Sequence, residues 1–317
     1  MRTTKKKIYL SIVIPVYESM YTLEELYLRL TKSCVQLSKP YEIIFIDDGS
    51  SDNSWNVLSK IYEQDKYVRI FRFSRNFGQH NSIMCGLIKS HGKFIITLDD
   101  DLQNPPEEIH KLLPKINEGY DVVYGEYISK RHAFFRNVGS NLVQFVYQKV
   151  FQVKGNLTSF RIIRDDIAHK ICSYKRNYTF IDGLLAWQTK NIGYVIVRHD
   201  TRKSGKSNYN LAKLFILTLN MVTNFSIFPL QLSSIVGIIF SFIGLLLTIF
   251  YLLKKIFFGI PVTGFTSIMI AILIFSGVQL LTIGLIGEYI GRIHLNINQK
   301  PQYIIKCAKE RENDTLS

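Results

Sequence analysis

The chain has 317 residues and a mass of 36.7 kDa, with 47% hydrophobic residues, 20% charged residues and a formal net charge of +14. A mean hydropathy of +0.09 beside that much charge excludes a disordered, apolar-poor chain and means that the apolar residues are unevenly spread. Cys34, Cys85, Cys172 and Cys307 lie far apart with no paired spacing, which argues against a disulfide framework or a zinc site and for a reducing compartment.

The opening, Met1 to Lys7 followed by IYLSIVIPVY, mimics a secretory signal. Its apolar run is short, contains Pro15 and meets Glu18 without a small-residue cleavage site. A buried, β-branched strand explains it better. Further strands are expected at 41–47, 67–73, 93–99 and 120–125, with amphipathic helices at 22–37 and 53–64 between them. This alternation predicts an α/β fold with a mostly parallel sheet, whose ligands bind beyond the carboxyl ends of the strands. Residues 130–210 are less regular and rich in Arg and Lys, and 209–226 reads as an amphipathic helix suited to a membrane interface.

Two apolar segments follow, 230–253 and 266–290, each long enough to cross a hydrocarbon core of about 30 Å. From Ile227 to Gly291 the only charged residues are Lys254, Lys255 and Glu288. Lys203, Lys206 and Lys213 precede the first span, and Arg292, Lys300, Lys306, Lys309 and Arg311 follow the second. That balance predicts a multi-pass protein of the cell membrane with both termini cytoplasmic, against a mild counter-signal from Lys254 and Lys255. The expected division is a cytoplasmic domain at 1–208, an interfacial helix at 209–226, a two-helix membrane domain at 227–291 and a cytoplasmic tail at 292–317. Gly284, Gly287 and Gly291 suggest close helix packing within a subunit or between the subunits of a homo-oligomer.

Two expected strands end in acidic clusters, Asp47-Asp48-Gly49-Ser50-Ser51-Asp52-Asn53-Ser54 and Asp99-Asp100-Asp101-Leu102-Gln103. Ser51, Asp52 or Asn53 suits a helix cap. The adjacent carboxylates Asp47 and Asp48 can accept hydrogen bonds from a nucleobase and ribose. The second cluster is either a solvated turn before Pro105-Pro106 or a site for a hard divalent cation, Mg²⁺ or Mn²⁺, that also holds substrate phosphates. No glycine-rich phosphate loop occurs, which leaves metal-held diphosphate as the route to a nucleotide.

SIVIPVY (11–17), DDGSSDNS (47–54), RNFGQHNS (75–82) and TLDDDLQNPPE (97–107) together resemble the family 2 glycosyltransferases of GT-A fold. SFRIIRDD (159–166), HDTRKSGKSNY (199–209) and two terminal spans ending in GLIGEYIGRI (284–293) resemble the polyprenyl-phosphate glycosyltransferases within that family. The resemblance implies that Pro15, Tyr17, Asp47 and Asp48 contact the nucleotide, and that Asp99, Asp100, Arg131 and Ser207 also bind the nucleotide sugar. It implies Asp99, Asp101 and Gln103 as metal ligands. Arg202, Gly205 and Ser207 match a loop that closes over the phosphates. Arg136 and Arg161 are expected at the acceptor phosphate, and Asp101, Arg202 and Ser159 in the catalytic machinery; Arg131 could equally belong to a basic surface facing anionic lipid.

Three positions depart from the family pattern. Glu18-Ser19 stands where Asn-Glu is usual, Asn208 where Lys or Arg is common, and Ser159 where some relatives carry an Asp proposed as base. The implied reaction is inverting transfer of a sugar from a nucleotide-diphosphate sugar to a membrane polyprenyl phosphate, undecaprenyl phosphate in a bacterium, for surface-glycan, O-antigen or lipopolysaccharide modification in the cell envelope. The competing readings are a processive polysaccharide synthase, which usually has more spans, and a non-catalytic scaffold, which would lack the acidic motif. The basic residues form no aromatic-interleaved patch, so nucleic acid is not an expected partner.

Overall fold

The computed structural model describes residues 8–127, 158–176, 179–200, 223, 227–258, 264–298 and 300–311. The chain divides into two compact units, Met1–Asn210 with Gln299–Ser317, and Leu211–Asn298. Most of the expected interfacial helix at 209–226 lies outside the described residues.

The first unit is built on β1 (Leu10–Val16), α1 (Leu23–Leu37), β2 (Tyr41–Asp47), α2 (Ser54–Gln64), β3 (Val68–Phe73), α3 (Gln79–Lys89) and β4 (Phe94–Thr97). A 3₁₀ turn at Pro106–Glu108 leads into α4 (Ile109–Asn117), followed by β5 (Val122–Glu126), β6 (Arg161–Arg164), α5 (Asp165–Cys172), α6 (Ile181–Gln188) and β7 (Ile192–Ile196). With β8 (Ile305–Lys309) they form one eight-stranded sheet in the order β7-β5-β6-β4-β1-β2-β3-β8. Strands β4, β1, β2 and β3 run parallel, as do β5 and β7; β6 and β8 are antiparallel to their neighbours.

Every residue of β1 is buried, as an apolar strand covered on both faces must be. Ile12 and Ile14 of β1 and Ile43 and Phe45 of β2 share a core with Leu26 and Leu30 of α1 and Leu112 and Ile116 of α4. Helix α3 lies close against β1, where a Cβ on Gly86 would come within 2.1 Å of Val13 Cγ1, so this helix requires glycine at its contact with the strand.

The ladder between β1 and β4 ends at Val13 and Thr97, whereas that between β1 and β2 runs on to Val16 and Asp47. Val13 accepts from Leu98 N and Val16 from Asp48 N, so Pro15, two residues after Val13, turns its missing N–H toward the side on which pairing has stopped. A proline is therefore accommodated in a central strand, where the pairing of β1 with β4 has already ended. The strand order reverses there, which is where open α/β sheets bind ligands.

The sequence reading leaves residues 300–311 in a tail, but β8 pairs with the edge of β3. Tyr303 stacks on Phe73 with centroids 4.9 Å apart, and the side-chain amide of Gln302 donates to the carbonyls of Tyr174 and Arg176. Glu310 joins a buried ion network, 2.5 Å from Arg69, which also pairs with Glu42 at 2.9 Å. A five-residue strand of mixed polarity carries little sequence signal, and its partners supply its stability.

The second unit contains α7 (Phe228–Phe258) and α8 (Phe265–Ile297), each long and apolar enough to cross a membrane. Their apolar side chains are largely exposed, among them Ile238, Phe242, Leu246, Leu280 and Ile290. Ser233 Oγ donates to Thr282 Oγ1 across the pair, and Arg292 pairs with Glu288 one turn away, as their spacing predicts. Among the described residues, a Cβ at Gly284, Gly287 or Gly291 would meet nothing within 4 Å.

Candidate active site

The two acidic clusters lie on either side of the end of β1, and three loops are stitched together around them. After β1, Tyr17 leaves its ring 46% exposed while its N–H donates to Asp100 Oδ2 at 3.0 Å. Glu18 takes a positive φ of 52° and its N–H donates to Ser50 Oγ, while Ser51 Oγ donates to Glu18 Oε1. The departure at Glu18-Ser19 is thus absorbed into contacts with the loop after β2. Of the expected cap candidates Asn53 takes the N-cap position of α2 without a side-chain capping bond, while Asp52 accepts from Ser54 N and Met20 N.

Asp47 and Asp48 do not need a nucleotide to explain them. Asp47 is fully buried opposite Arg72 of β3, whose Nε lies 3.1 Å from Oδ2, and its Oδ1 accepts from Ser50 N. It is an internal counter-ion rather than a base contact. Asp48 is 3% exposed and accepts from Phe77 N at 2.7 Å and Gly78 N at 2.8 Å. Burial pushes its carboxyl up to about 6 against those two donors, with Asp47 adding to the rise. Pro15 is likewise buried within β1, so the exposed ring on this side belongs to Tyr17.

Gly49 has φ +70°, and a Cβ there would come within 2.5 Å of the Arg75 carbonyl carbon. Gly49→Ala is expected to cost about 1–2 kcal/mol from the left-handed backbone alone and to push the 75–78 loop off Asp48. The full-length protein in detergent should lose roughly 2–8 °C of apparent melting temperature.

After β4, Asp99 Oδ1 accepts from Gln79 Nε2 at 2.6 Å, and its Oδ2 accepts a short hydrogen bond from Ser159 Oγ. Ser159, expected in the catalytic machinery, thus turns its hydroxyl onto Asp99. Burial pushes Asp100 up to about 7, and the neighbouring charges of Asp99 and Asp101 add to it. Asp101 Oδ1 accepts from Gln103 N in an Asx turn across Leu102, a buried residue held at φ 61°. Asp200 N donates to the Gln103 carbonyl at 2.8 Å, which brings the segment after β7 to the same loop.

Among the described residues, no group of three or more His, Cys, Asp or Glu side chains is arranged to hold a metal ion. The donors at Asp99, Asp101 and Gln103 are oxygens, and the crowding that raises Asp100 is the field a cation relieves. A site with one or two carboxylates suits an ion whose remaining ligands come from a diphosphate.

Arg161 is a correction to the sequence reading. It is 1% exposed, ion-paired with Asp182, and its Nε donates to Thr97 Oγ1 at 3.1 Å. Tyr124 OH donates to Asp182 Oδ1. A guanidinium enclosed in this way faces no acceptor phosphate. Thr97 Oγ1 in turn donates to the Ser159 carbonyl, so the pair supports the residue that holds Asp99. His80 stands edge-on to Phe180 and is driven down to about 4 by burial, which makes it a neutral packing residue near neutral pH. Arg131, Arg136, Arg202, Gly205 and Ser207 lie outside the described residues.

Sequence reasoning missed Gln79, Arg72 and Asp182. Gln79 stands in the quoted RNFGQHNS motif, so position alone could have raised it; the other two reveal themselves only through their partners.

Residues 11–179 match the profile of Glycosyl transferase family 2. An undecaprenyl-phosphate 4-deoxy-4-formamido-L-arabinose transferase of Serratia proteamaculans is 36% identical over 309 residues, covering 96% of this chain and 95% of the relative. The enzyme of the same name from Proteus mirabilis is 35% identical over 311 residues, with 96% and 95% covered. Glucosyl-3-phosphoglycerate synthase from Mycobacterium tuberculosis, solved with Mn²⁺, uridine diphosphate and glucosyl-3-phosphoglycerate, shares the fold at 14% identity and a TM-score of 0.50, covering 68% of this chain and 78% of that one. A profile spanning more than half of the chain, and relatives this similar along nearly all of it, make this membrane protein a glycosyltransferase of family 2.

Proposed function

We propose that this protein transfers a sugar from a nucleotide-diphosphate sugar to a membrane polyprenyl phosphate, with inversion at the anomeric carbon and its catalytic unit in the cytoplasm. The observation that carries the reading is the end of β1, where an exposed tyrosine is bonded through its N–H to the second of three successive carboxylates, in a chain with two membrane-length helices. The two transferases named above act on undecaprenyl phosphate by their names, and they align with 96% of this chain.

In this reading the ring of Tyr17 flanks the nucleobase, and Asp101 with Gln103 and Asp99 would hold a divalent cation, Mg²⁺ or Mn²⁺. When bound, that ion neutralises the departing diphosphate. Asp48 acts indirectly, by holding the 77–78 backbone. Asp200 is anchored to Gln103, and Arg202, two positions further along the sequence, is the candidate to cover the phosphates. The acceptor phosphate, with a second pKa of about 6, is already largely dianionic near neutral pH. Ser159 in place of an acidic base is therefore no obstacle: the acceptor needs positioning and charge compensation more than deprotonation. Arg136 remains the candidate for that task.

The test uses membranes containing the protein, undecaprenyl phosphate, Mg²⁺ or Mn²⁺ and a panel of nucleotide sugars, with lipids extracted for mass spectrometry. The expected product is undecaprenyl phosphate heavier by one glycosyl unit, dependent on Asp101. Longer glycans would replace this reading by a chain-extending synthase, and absence of any lipid-linked product across the panel would overturn it.

A further inference from the structure

We infer that Gln79 is a positioning residue for the donor site: its amide sets the orientation of Asp99, and with Phe77 and Gly78 it forms a strut joining the two acidic clusters. This rests on the donor-site reading above. Strands β2 and β4 are not neighbours, because β1 lies between them. Three consecutive residues nevertheless bridge their ends. Phe77 N and Gly78 N donate to the two oxygens of Asp48 after β2, and Gln79 Nε2 donates to Asp99 after β4. Gly78 takes φ 93°, which makes the turn from the loop into α3, and Gln79 is the first residue of that helix.

The chemistry of the donor matters as much as its place. Asp99 lies in a run of three carboxylates, where a lysine or arginine would hold it and also cancel charge that a cation needs. The Gln79 amide and the Ser159 hydroxyl orient the carboxylate while leaving its charge in place. Gln79 is exposed, so its side chain gives up rotamer freedom for this contact rather than being packed into it. Partners of this kind, one step removed from a bound ion, typically change metal affinity by about 10–100-fold when removed.

The experiment compares Gln79→Ala, Gln79→Glu and Asp101→Asn in the full-length protein in detergent. Mn²⁺ binding is titrated by electron paramagnetic resonance, alone and with each of UDP, GDP, CDP and dTDP, beside steady-state kinetics and melting temperature. Gln79→Ala is expected to weaken Mn²⁺ binding in the presence of nucleotide by about tenfold. It should raise the donor KM more than it lowers kcat and leave the melting temperature unchanged. Gln79→Glu keeps the shape but replaces the donor by a like charge, so it should be worse than alanine; a merely space-filling role predicts the reverse. Mn²⁺ binding and donor KM within twofold of wild type in both variants, with Asp101→Asn defective, would overturn the strut and spare the donor site. Wild-type Mn²⁺ binding in Asp101→Asn would overturn the donor-site reading itself.

Discussion

Asp101→Asn is expected to lower transfer by about a thousandfold or more while the protein inserts and folds as wild type does. The magnitude follows from what the carboxylate is asked to do. A divalent ion at the leaving diphosphate is worth several kcal/mol of charge stabilisation, and each 1.4 kcal/mol is a factor of ten in rate. The fold should not notice the change, because Asp101 accepts the Gln103 N–H through Oδ1 and an asparagine carbonyl can accept the same bond. The strained turn at Leu102 and the burial of that side chain are likewise untouched. The loss should therefore appear in turnover and Mn²⁺ affinity, with no change in melting temperature, and high Mn²⁺ should restore part of it. Undiminished turnover would remove Asp101 from the metal site.

How far such roles are legible without coordinates depends on what kind of information they are. The parallel core of the sheet was plain, because strands buried on both faces must be almost wholly apolar; LSIVIPV and YEIIFID cannot easily be anything else. The acidic clusters were found for a similar reason, since adjacent carboxylates at strand ends demand partners. Which partners was not legible. Asp47 is charge-paired with Arg72, which sits opposite it in the β2–β3 register, and Asp48 accepts from backbone N–H groups. A sequence shows the charge that needs compensation but not the strand pairing that provides it. Strand β8 escaped for another reason: IKCAK has no periodicity worth reading, and only the exposed edge of β3 and the Phe73 ring give it a place. Arg161 was misread because arginine is almost never fully buried, so a surface role facing phosphate was the natural expectation.

Breaking the buried pair formed by Arg161 and Asp182 should have the largest effect on stability, and the direction of each variant separates a structural from a ligand-binding role. Asp182→Ala leaves a guanidinium that is 1% exposed without its counter-ion and deprives Tyr124 OH of its acceptor. Arg161→Met strands the Asp182 carboxylate and removes the Nε donor to Thr97. Losing one partner of a buried ion pair typically costs about 3–5 kcal/mol, because the charge left behind is neither solvated nor paired. Both single variants are thus expected to melt well below wild type, read as the apparent transition of the full-length protein in detergent. The double variant Arg161→Met, Asp182→Leu removes both charges and should recover most of the loss, so its effect should be smaller than the sum of the singles. Activity follows a different path. Thr97 Oγ1 donates to the Ser159 carbonyl, and Ser159 Oγ donates to Asp99, so the double variant should still show a raised donor KM after its stability has returned. Single variants that melt as wild type does, with a raised KM for the lipid phosphate and an unchanged donor KM, would return Arg161 to the acceptor site and refute its enclosure.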